Sequence, residues 1–253
     1  MRVLVTRPAP QAAEWVARLR EDGVDACALP LICVAPAADA SAVREAWLGL
    51  SVNRLVVFVS PNAAEQFMAA RPMGVAWPQG VTAASTGPGT TRALLAQGVP
   101  AGQIVEPAAD APQFDSEALW RQLQPSDWQG AQVLIVRGDG GREWLADTLR
   151  AHGATVALLA AYRRCAPRLN VEEQALLSAA LDSPHDHLWL FSSSQAIDNL
   201  AALVGAVTDW SSSRALTTHP RIAARAQQLG LGEVNVSRST LAAVRACIQS
   251  RPT

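Results

Sequence analysis

The stretch VLVTRP at residues 3–8 decides the fold, because VLIVRG at residues 133–138 repeats it. A stretch containing Glu-Trp, typical of a helix, follows each copy and ends at a glycine. FVSPNAAEQF from Phe58 matches FSSSQAIDNL from Phe191, and STGPGTTRALLAQG from Ser85 matches TTHPRIAARAQQLG from Thr217. The matched segments are all separated by about 130 residues, and self-similarity at a fixed offset indicates an internal duplication.

Short apolar runs alternate with longer amphipathic stretches in both copies. The runs RVLV, LVVFV, VLIV and LWLF are rich in β-branched residues, as buried strands are. The amphipathic stretches are residues 11–20, 62–70, 91–97, 143–152 and 196–204. Strands alternating with helices predict an α/β fold with parallel sheets. Runs that are apolar throughout predict sheets covered on both faces.

Two longer extended stretches, residues 25–35 and 154–166, occupy equivalent places in the two copies. They predict a two-stranded β ribbon with linkers near 25–37 and 154–166. One domain would then be discontinuous, with residues 1–35 plus 166–253, and the other would be an inserted domain of residues 38–164. The alternative is two domains in succession, divided near residue 125.

Composition excludes several classes of protein. The 253 residues carry a net charge of −1, with 21 basic and 22 acidic side chains, so no global field attracts nucleic acid or an acidic membrane. The N-terminus resembles a strand and not a signal peptide, and no apolar run approaches the roughly 18 residues of a membrane span. We therefore expect a cytoplasmic protein. Cys27 and Cys33 are expected to be buried thiols, and the cysteine spacing predicts no metal site.

The turns after the predicted strands are small, hydroxylated, glycine-rich or basic. They comprise residues 6–8, 60–62, 86–90, 137–142, 192–195 and 217–220. Backbone N–H groups, hydroxyls and arginines bind carboxylates or phosphates at the carboxyl ends of parallel strands. Helix capping is the alternative explanation for any single Ser, Thr or Asn. Their recurrence in both copies favours a site for an anionic ligand, expected between the two domains.

Known motifs for other chemistries are incomplete or missing. GDGG from Gly138 follows a strand, but Glu143 replaces the third glycine of a dinucleotide-binding loop. The sequence contains no P-loop, no G-x-S-x-G motif and no recognisable nucleophile triad among its four histidines. His185 and His187 flank a strand and are expected to be solvated.

Tyr162 is the only tyrosine, and it lies beside Arg163 and Arg164 in the second extended stretch. It could simply pack on a β ribbon. It could also donate a hydrogen bond or a proton to a ligand, because a phenol with an ordinary pKa near 10 is protonated at neutral pH.

The order and spacing of several short motifs resemble the uroporphyrinogen-III synthase family over essentially the whole chain. These motifs are V-T-R-P at 5–8, F-x-S-x-N-A at 58–63, G-P-G-T at 87–90, V-R-G-x-G-G-R at 136–142, Tyr162 and F-S-S at 191–193. The resemblance implies two flavodoxin-like or Rossmann-like domains joined by a two-stranded ribbon. It also implies that hydroxymethylbilane is dehydrated and cyclised to uroporphyrinogen III, with ring D inverted, through a spirocyclic intermediate.

The resemblance implies a lyase of tetrapyrrole (haem) biosynthesis that needs no cofactor or metal and acts as a monomer, with a possible transient contact to hydroxymethylbilane synthase. Tyr162 matches the family tyrosine proposed to assist departure of the hydroxyl group. The residues expected to bind the carboxylates of the substrate are Arg7, Ser60, Asn62, Gly87, Thr90, Arg137, Gly138, Arg142, Ser193 and Thr218.

The chain departs from the family pattern at two places. The turn at residues 217–222 reads TTHPRI where the family usually carries a G-P-x-T-like sequence, which leaves the roles of Thr218 and His219 open. Val59 stands where a hydroxyl residue is common, so only its backbone is expected to make contact. Two other functions remain: a two-lobed protein that binds a polyanion without catalysis, and a nicotinamide-dependent oxidoreductase.

Overall fold

The computed structural model describes residues 1–205 and 208–250. The chain divides into two compact units. Unit 1 comprises Met1–Cys33 and Cys165–Thr253, and unit 2 comprises Val34–Arg164. That each unit folds as a separate domain stays a prediction.

The strands are β1 (Arg2–Val5), β2 (Ala26–Ala28), β3 (Cys33–Pro36), β4 (Leu55–Phe58), β5 (Thr82–Ser85), β6 (Ile104–Val105), β7 (Gln132–Gly138), β8 (Thr155–Cys165), β9 (His187–Phe191), β10 (Arg214–Thr217) and β11 (Glu233–Val236). The α-helices are α1 (Ala9–Glu21), α2 (Ala40–Leu48), α3 (Pro61–Ala69), α4 (Pro88–Ala96), α5 (Ser116–Leu123), α6 (Trp144–Ala151), α7 (Val171–Asp182), α8 (Ser194–Val204), α9 (Pro220–Leu229) and α10 (Leu241–Gln249). Short 3₁₀ turns lie at Leu50–Val52, Ala101–Gln103 and Pro184–Asp186.

Each unit contains one sheet among the described residues, and the two sheets share the order of five strands. Unit 1 has a five-stranded sheet in the order β11-β10-β9-β1-β2. Unit 2 has a six-stranded sheet in the order β3-β8-β7-β4-β5-β6. The strands β1 and β2 of unit 1 correspond to β7 and β8 of unit 2, and β9, β10 and β11 correspond to β4, β5 and β6. With this correspondence, five strands occur in the same order in both sheets, and β3 is an additional edge strand of unit 2.

The duplication therefore explains how the strands of the two copies are divided between the two sheets. Each sheet combines the first two strands of one copy with the last three strands of the other. The neighbouring strands β1 and β9 run parallel with Val3 opposite Leu188, and β4 and β7 run parallel with Val56 opposite Leu134. The prediction of an α/β fold with parallel sheets is confirmed.

Apolar side chains fill the core on both faces of the unit 2 sheet. Val56 and Phe58 point to one face and pack with Trp47 and Phe67. Leu55 and Val57 point to the opposite face, where α5 and α6 pack. This alternation confirms the prediction from the uninterrupted run LVVF that the strand is buried on both sides.

The first long extended stretch is shorter than predicted. Residues 29–32 separate β2 from β3. The Leu29 and Leu31 N–H groups still donate to the Val5 and Thr6 carbonyls at 3.0 and 3.3 Å, and the Leu31 carbonyl accepts a 2.7 Å hydrogen bond from Asn199 Nδ2. The second stretch forms β8 over 11 residues, as predicted.

Two expectations about single residues are wrong. Cys33 is exposed and not buried, while Cys27 is half-buried. His187 is buried in β9, where its Nδ1 lies 3.0 Å from the Ser183 carbonyl oxygen. A backbone partner close to the strand start lets this histidine be buried.

Over the ranges 1–205 and 208–250, no helix is long and apolar enough to cross a membrane. The same part of the chain holds no group of three or more His, Cys, Asp or Glu side chains that could bind a metal ion.

Candidate functional site

Each sheet has a point where the chain order reverses, and the two points are equivalent. In unit 2 it lies between β4 and β7, and in unit 1 between β1 and β9. Ligands of open parallel sheets bind outside the carboxyl ends of the strands at such points. The turns predicted from the sequence follow these strands.

In unit 2, Ser60 and Tyr162 meet at this reversal point. Ser60 is the N-cap of α3, and its Oγ accepts a 3.1 Å hydrogen bond from the Ala63 backbone N–H. The same Oγ lies 3.1 Å from the Tyr162 phenol oxygen, and either hydroxyl can be the donor. Tyr162 is only 4% exposed, so its ring is fixed by packing while its oxygen points at the turn after β4.

Gly138 provides the space that the Tyr162 ring occupies. The two residues are paired between β7 and β8, next to an irregularity in the register at Arg137/Gly138. A Cβ at position 138 would lie 3.0 Å from Tyr162 Cζ and 3.1 Å from Cε2. The glycine is therefore required by the close approach of an aromatic ring to the backbone.

The turn after β5 lies beside the turn after β4. Thr86 Oγ1 donates to the Val59 carbonyl at 3.1 Å, which connects the two turns. Thr90 is buried at the start of α4, and its N–H donates to the Gly87 carbonyl at 3.0 Å. A Cβ at Gly87 would lie 2.9 Å from Phe114 Cβ, which excludes any larger residue there.

Asn62, in the first turn of α3, is half-buried. It lies two residues after Ser60 and is brought to the same edge of the sheet. The hydroxyl and amide side chains predicted in unit 2 therefore cluster at the ends of β4 and β5.

Two arginines, Arg137 near the end of β7 and Arg142 in the loop that follows, are held by carboxylates. The Arg137 guanidinium donates to Glu143 Oε1 at 3.2 Å and to the Gly141 carbonyl at 2.6 Å, and its side chain is 10% exposed. Arg142 donates to both carboxylate oxygens of Glu117, at 2.6 and 3.0 Å.

The side-chain hydrogen bond with Glu117 raises the pKa of Arg142 above its ordinary value, and burial opposes this shift. Arg142 is therefore charged, and its side chain is 45% exposed to solvent. Arg142 is therefore a positively charged side chain that a ligand can reach, whereas Arg137 is largely enclosed.

The equivalent edge of unit 1 carries the other predicted residues. Arg7 follows β1, and its guanidinium carbon lies 3.9 Å from the ring centroid of Trp15. Ser193 caps α8 by accepting from the Gln195 N–H at 3.2 Å. Thr218 is buried, and its N–H donates to the Phe191 carbonyl at 3.1 Å.

His219 occupies the N-cap of α9, where its Nδ1 accepts from the Arg221 backbone N–H at 3.0 Å. In this turn a ring nitrogen performs the capping that a hydroxyl performs at Ser60. The departure of residues 217–222 from the family pattern is thus compatible with a formed helix start.

Sequence reasoning missed Phe114, Glu117 and Glu143 as neighbours of the site. Phe114 comes from the segment between β6 and α5, and Glu117 lies in the first turn of α5. Neither belongs to a turn after a predicted strand. In the sequence, Glu143 is distinctive only as the residue that interrupts a glycine motif. No pattern in the sequence connects Glu117 with Arg142, whose contact depends on the packing of α5 beside α6.

Residues 13–244 match the family model described as uroporphyrinogen-III synthase HemD. The uroporphyrinogen-III synthase of Escherichia coli strain K12 is 28% identical over 244 residues, covering 94% of this chain and 95% of that protein. The synthase of Salmonella typhimurium is 33% identical over 177 residues, 70% of either chain.

Solved structures give the same fold. A mutant uroporphyrinogen III synthase from the extremely thermophilic bacterium Thermus thermophilus matches with a TM-score of 0.60 at 16% identity, covering 98% of both chains. The enzyme from Helicobacter pylori 26695 matches with a TM-score of 0.58 at 15% identity, covering 99% of this chain and 100% of that one. With the family model matching most of its length, this chain belongs to the uroporphyrinogen-III synthase family.

Proposed function

We propose that this chain dehydrates and cyclises hydroxymethylbilane to uroporphyrinogen III with inversion of ring D, and that Tyr162 assists departure of the hydroxyl group. The observation that carries the role of Tyr162 is its contact with Ser60 at the reversal point of the unit 2 sheet. A buried phenol whose oxygen alone faces a polar turn is suited to act on one atom of a bound ligand.

The hydrogen-bond geometry supports a proton donor. Ser60 Oγ already accepts from the Ala63 N–H, and its own proton can be donated to Tyr162 Oη, 3.1 Å away. In that arrangement the phenol proton is available to the leaving hydroxyl, which departs as water when the C–O bond breaks. The phenolate regains a proton when the cyclised product loses one, so the overall change is the loss of one water molecule.

Positioning is the larger part of the task. The bilane forms an azafulvene readily when water leaves, and the enzyme must hold the chain so that ring D attacks through its substituted carbon. Fixed orientation of reacting atoms lowers the barrier of such a step without strong acid or base catalysis.

The substrate carries acetate and propionate side chains, which need hydrogen-bond donors and positive charge. The starts of α3 and α4 in unit 2 and of α8 and α9 in unit 1 present backbone N–H groups at the carboxyl ends of the strands. We propose Ser60, Asn62, Gly87, Thr90 and Gly138 as contacts in unit 2. Arg7, Ser193 and Thr218 are the proposed contacts in unit 1.

Arg137 and Arg142 have different roles in this proposal. Arg142 is exposed and can exchange the carboxylate of Glu117 for a carboxylate of the substrate. The new contact would keep the same bidentate geometry. Arg137 is enclosed by the loop of residues 139–143. Its positive charge would attract the substrate carboxylates without direct contact.

We further propose that the chain is a cytoplasmic monomeric lyase that needs no cofactor and makes at most transient contact with hydroxymethylbilane synthase. Sedimentation of the purified protein, alone and mixed with that enzyme, tests the oligomeric state and the contact.

A coupled assay tests the reaction. Porphobilinogen and hydroxymethylbilane synthase generate the bilane in place, with and without this protein, and the oxidised porphyrins are separated by isomer. We expect mostly isomer III when the protein is present, at a rate unaffected by a metal chelator. Only isomer I, the spontaneous product, from folded protein would reject catalysis. Retained binding of the bilane in that case would favour the two-lobed binding protein.

A further inference from the structure

Cys33 and Cys165 mark the two places where the chain changes unit. Unit 1 ends its first segment at Cys33 and begins its second at Cys165. Cys33 is the first residue of β3, and Cys165 is the last residue of β8. Both therefore lie in unit 1, at the boundaries of the segment that forms unit 2.

The sheet places these two strands side by side. β3 is an edge strand whose neighbour is β8. The pairing of β8 with β7 stops at Tyr162, opposite Gly138, so residues 163–165 belong to the sheet through β3. The chain enters unit 2 along β3 and leaves it along β8, which indicates that the strands run in opposite directions.

The ends of the pairing then define its register. Residue 32, before β3, and residue 166, after β8, both lie outside the sheet. An antiparallel ladder with these limits has Cys33 opposite Cys165. Directly opposite residues in such a ladder have Cα atoms about 4.5–5.5 Å apart and side chains on the same face. A disulfide bridges Cα separations of about 4.4–6.8 Å.

We infer that Cys33 and Cys165 form a cross-strand thiol pair that an oxidised thiol compound such as glutathione disulfide converts reversibly to a disulfide. Cys33 is exposed and Cys165 half-buried, so a small oxidant can reach the pair. The closed loop would span residues 33–165 and enclose the whole of unit 2.

The chemistry is two successive thiol–disulfide exchanges. The thiolate of Cys33 attacks one sulfur of glutathione disulfide, the S–S bond breaks, and one glutathione leaves. The thiolate of Cys165 then attacks the Cys33 sulfur of the mixed disulfide and releases the second glutathione. The two cysteines lose two protons and two electrons, and the glutathione disulfide becomes two glutathione thiols.

Mass spectrometry of the intact folded protein and of its tryptic peptides tests this inference. The whole chain is incubated with glutathione disulfide, alkylated and digested without reduction. Trypsin releases Cys33 on the peptide of residues 21–44 and Cys165 on the peptide of residues 165–168. We expect a loss of two hydrogen atoms in the intact protein and a linked pair of these peptides that dithiothreitol separates.

Four single variants provide the controls. Cys33→Ser and Cys165→Ser are each expected to abolish the linked pair and to accumulate glutathione on the remaining cysteine. Cys27→Ser and Cys247→Ser should leave it intact, and fragmentation between residues 27 and 33 assigns the bonded sulfur.

Only glutathione adducts in the wild-type protein, or a link through Cys27 or Cys247, would overturn the inferred register. A second measurement is the urea midpoint of the oxidised protein. It should be higher than that of the reduced protein, because the disulfide lowers the conformational entropy of the unfolded chain. A lower midpoint than that of the reduced protein would mean that the bond distorts the strands and would overturn the inference as well.

Discussion

The hydroxyl oxygens of Ser60 and Tyr162 lie 3.1 Å apart, although 102 residues separate them in the chain. Ser60 follows β4, one of the last three strands of the first copy, and Tyr162 lies in β8, one of the first two strands of the second. Their contact exists because the duplicated halves exchange strands. The position of the phenol therefore depends on both copies.

Replacing Tyr162 by Phe removes one hydroxyl from a buried ring and leaves its packing in place. If the phenol donates a proton to the leaving group, turnover should fall by about 10²-fold, with KM nearly unchanged. Thermal unfolding should shift little. The coupled assay with isomer separation measures the rate, and wild-type turnover would reject the role of the phenol.

Ser60→Ala tests whether Ser60 positions the Tyr162 phenol, separately from whether the phenol donates a proton. It removes the partner of Tyr162 and also the N-cap of α3, which costs about 1 kcal/mol. Activity should fall less than in Tyr162→Phe, and Ser60→Thr should restore most of it because a hydroxyl returns to the same place. Failure of Ser60→Thr to recover activity while its stability recovers would argue against the hydroxyl contact.

Gly138→Ala tests whether the backbone after β7 positions the Tyr162 ring. The added Cβ would lie 3.0 Å from Tyr162 Cζ, so the ring must move by several tenths of an ångström. We expect a loss of stability of about 1–3 kcal/mol and a clear loss of turnover. Gly140→Ala is the matched control, because a Cβ there meets nothing within 4 Å. Equal losses of stability and turnover in the two variants would show that any added side chain in this loop is harmful, and that contact with the Tyr162 ring is not the cause.

The strands and the site were predicted from the sequence to different degrees. The strands β1, β4, β7 and β9 were recognisable because each is an apolar run between polar turns. β5 reads TAAS and β6 has two residues, and such short or alanine-rich strands carry no distinct pattern. They are held in the sheet by their neighbours and not by local preference.

The site shows the same division. Ser60, Gly138 and Tyr162 could be selected from the sequence because turns after strands and the repeat itself pointed to them. Their contact distances could not be predicted, since these depend on the register shift between β7 and β8. Glu117 was missed because its role comes only from the position of α5.

Arg142→Gln tests the proposed exchange of carboxylates. If Arg142 leaves Glu117 to bind the substrate, KM should rise about two- to fivefold with little change in kcat, the range expected for one exposed ionic contact. Arg150→Gln is the control, because Arg150 is 41% exposed and pairs with Asp147 at 3.0 Å on α6. A KM that responds equally to both variants would indicate a general effect of charge.

Asp39 provides a dependence of stability on pH. Hydrogen bonds from the Ser41 hydroxyl and from the Ala42 and Ser41 backbone N–H groups lower the pKa of Asp39 below its ordinary value of 3.8. The ionised carboxylate therefore stabilises the start of α2 above that value, and this contribution is lost as pH falls through the lower pKa of the folded state. Asp39→Asn keeps a good N-cap without titration. Urea midpoints of the two proteins should converge on acidification below about pH 4, and parallel curves would contradict this assignment.

Asn199 on α8 determines how residues 29–32 cross between β2 and β3. Its Nδ2 donates to the buried Leu31 carbonyl at 2.7 Å, a contact between residues 168 positions apart. Asn199→Asp replaces the donor with an acceptor of the same shape, so a buried carbonyl loses its partner and stability should fall by about 1–3 kcal/mol or more. Gln174→Glu is the control, because the exposed Gln174 amide makes a similar 3.0 Å bond to the Leu169 carbonyl, where water can replace it. If urea midpoints fall equally in both variants, the Leu31 carbonyl is not shielded from water, and the Asn199 contact does not fix the course of residues 29–32.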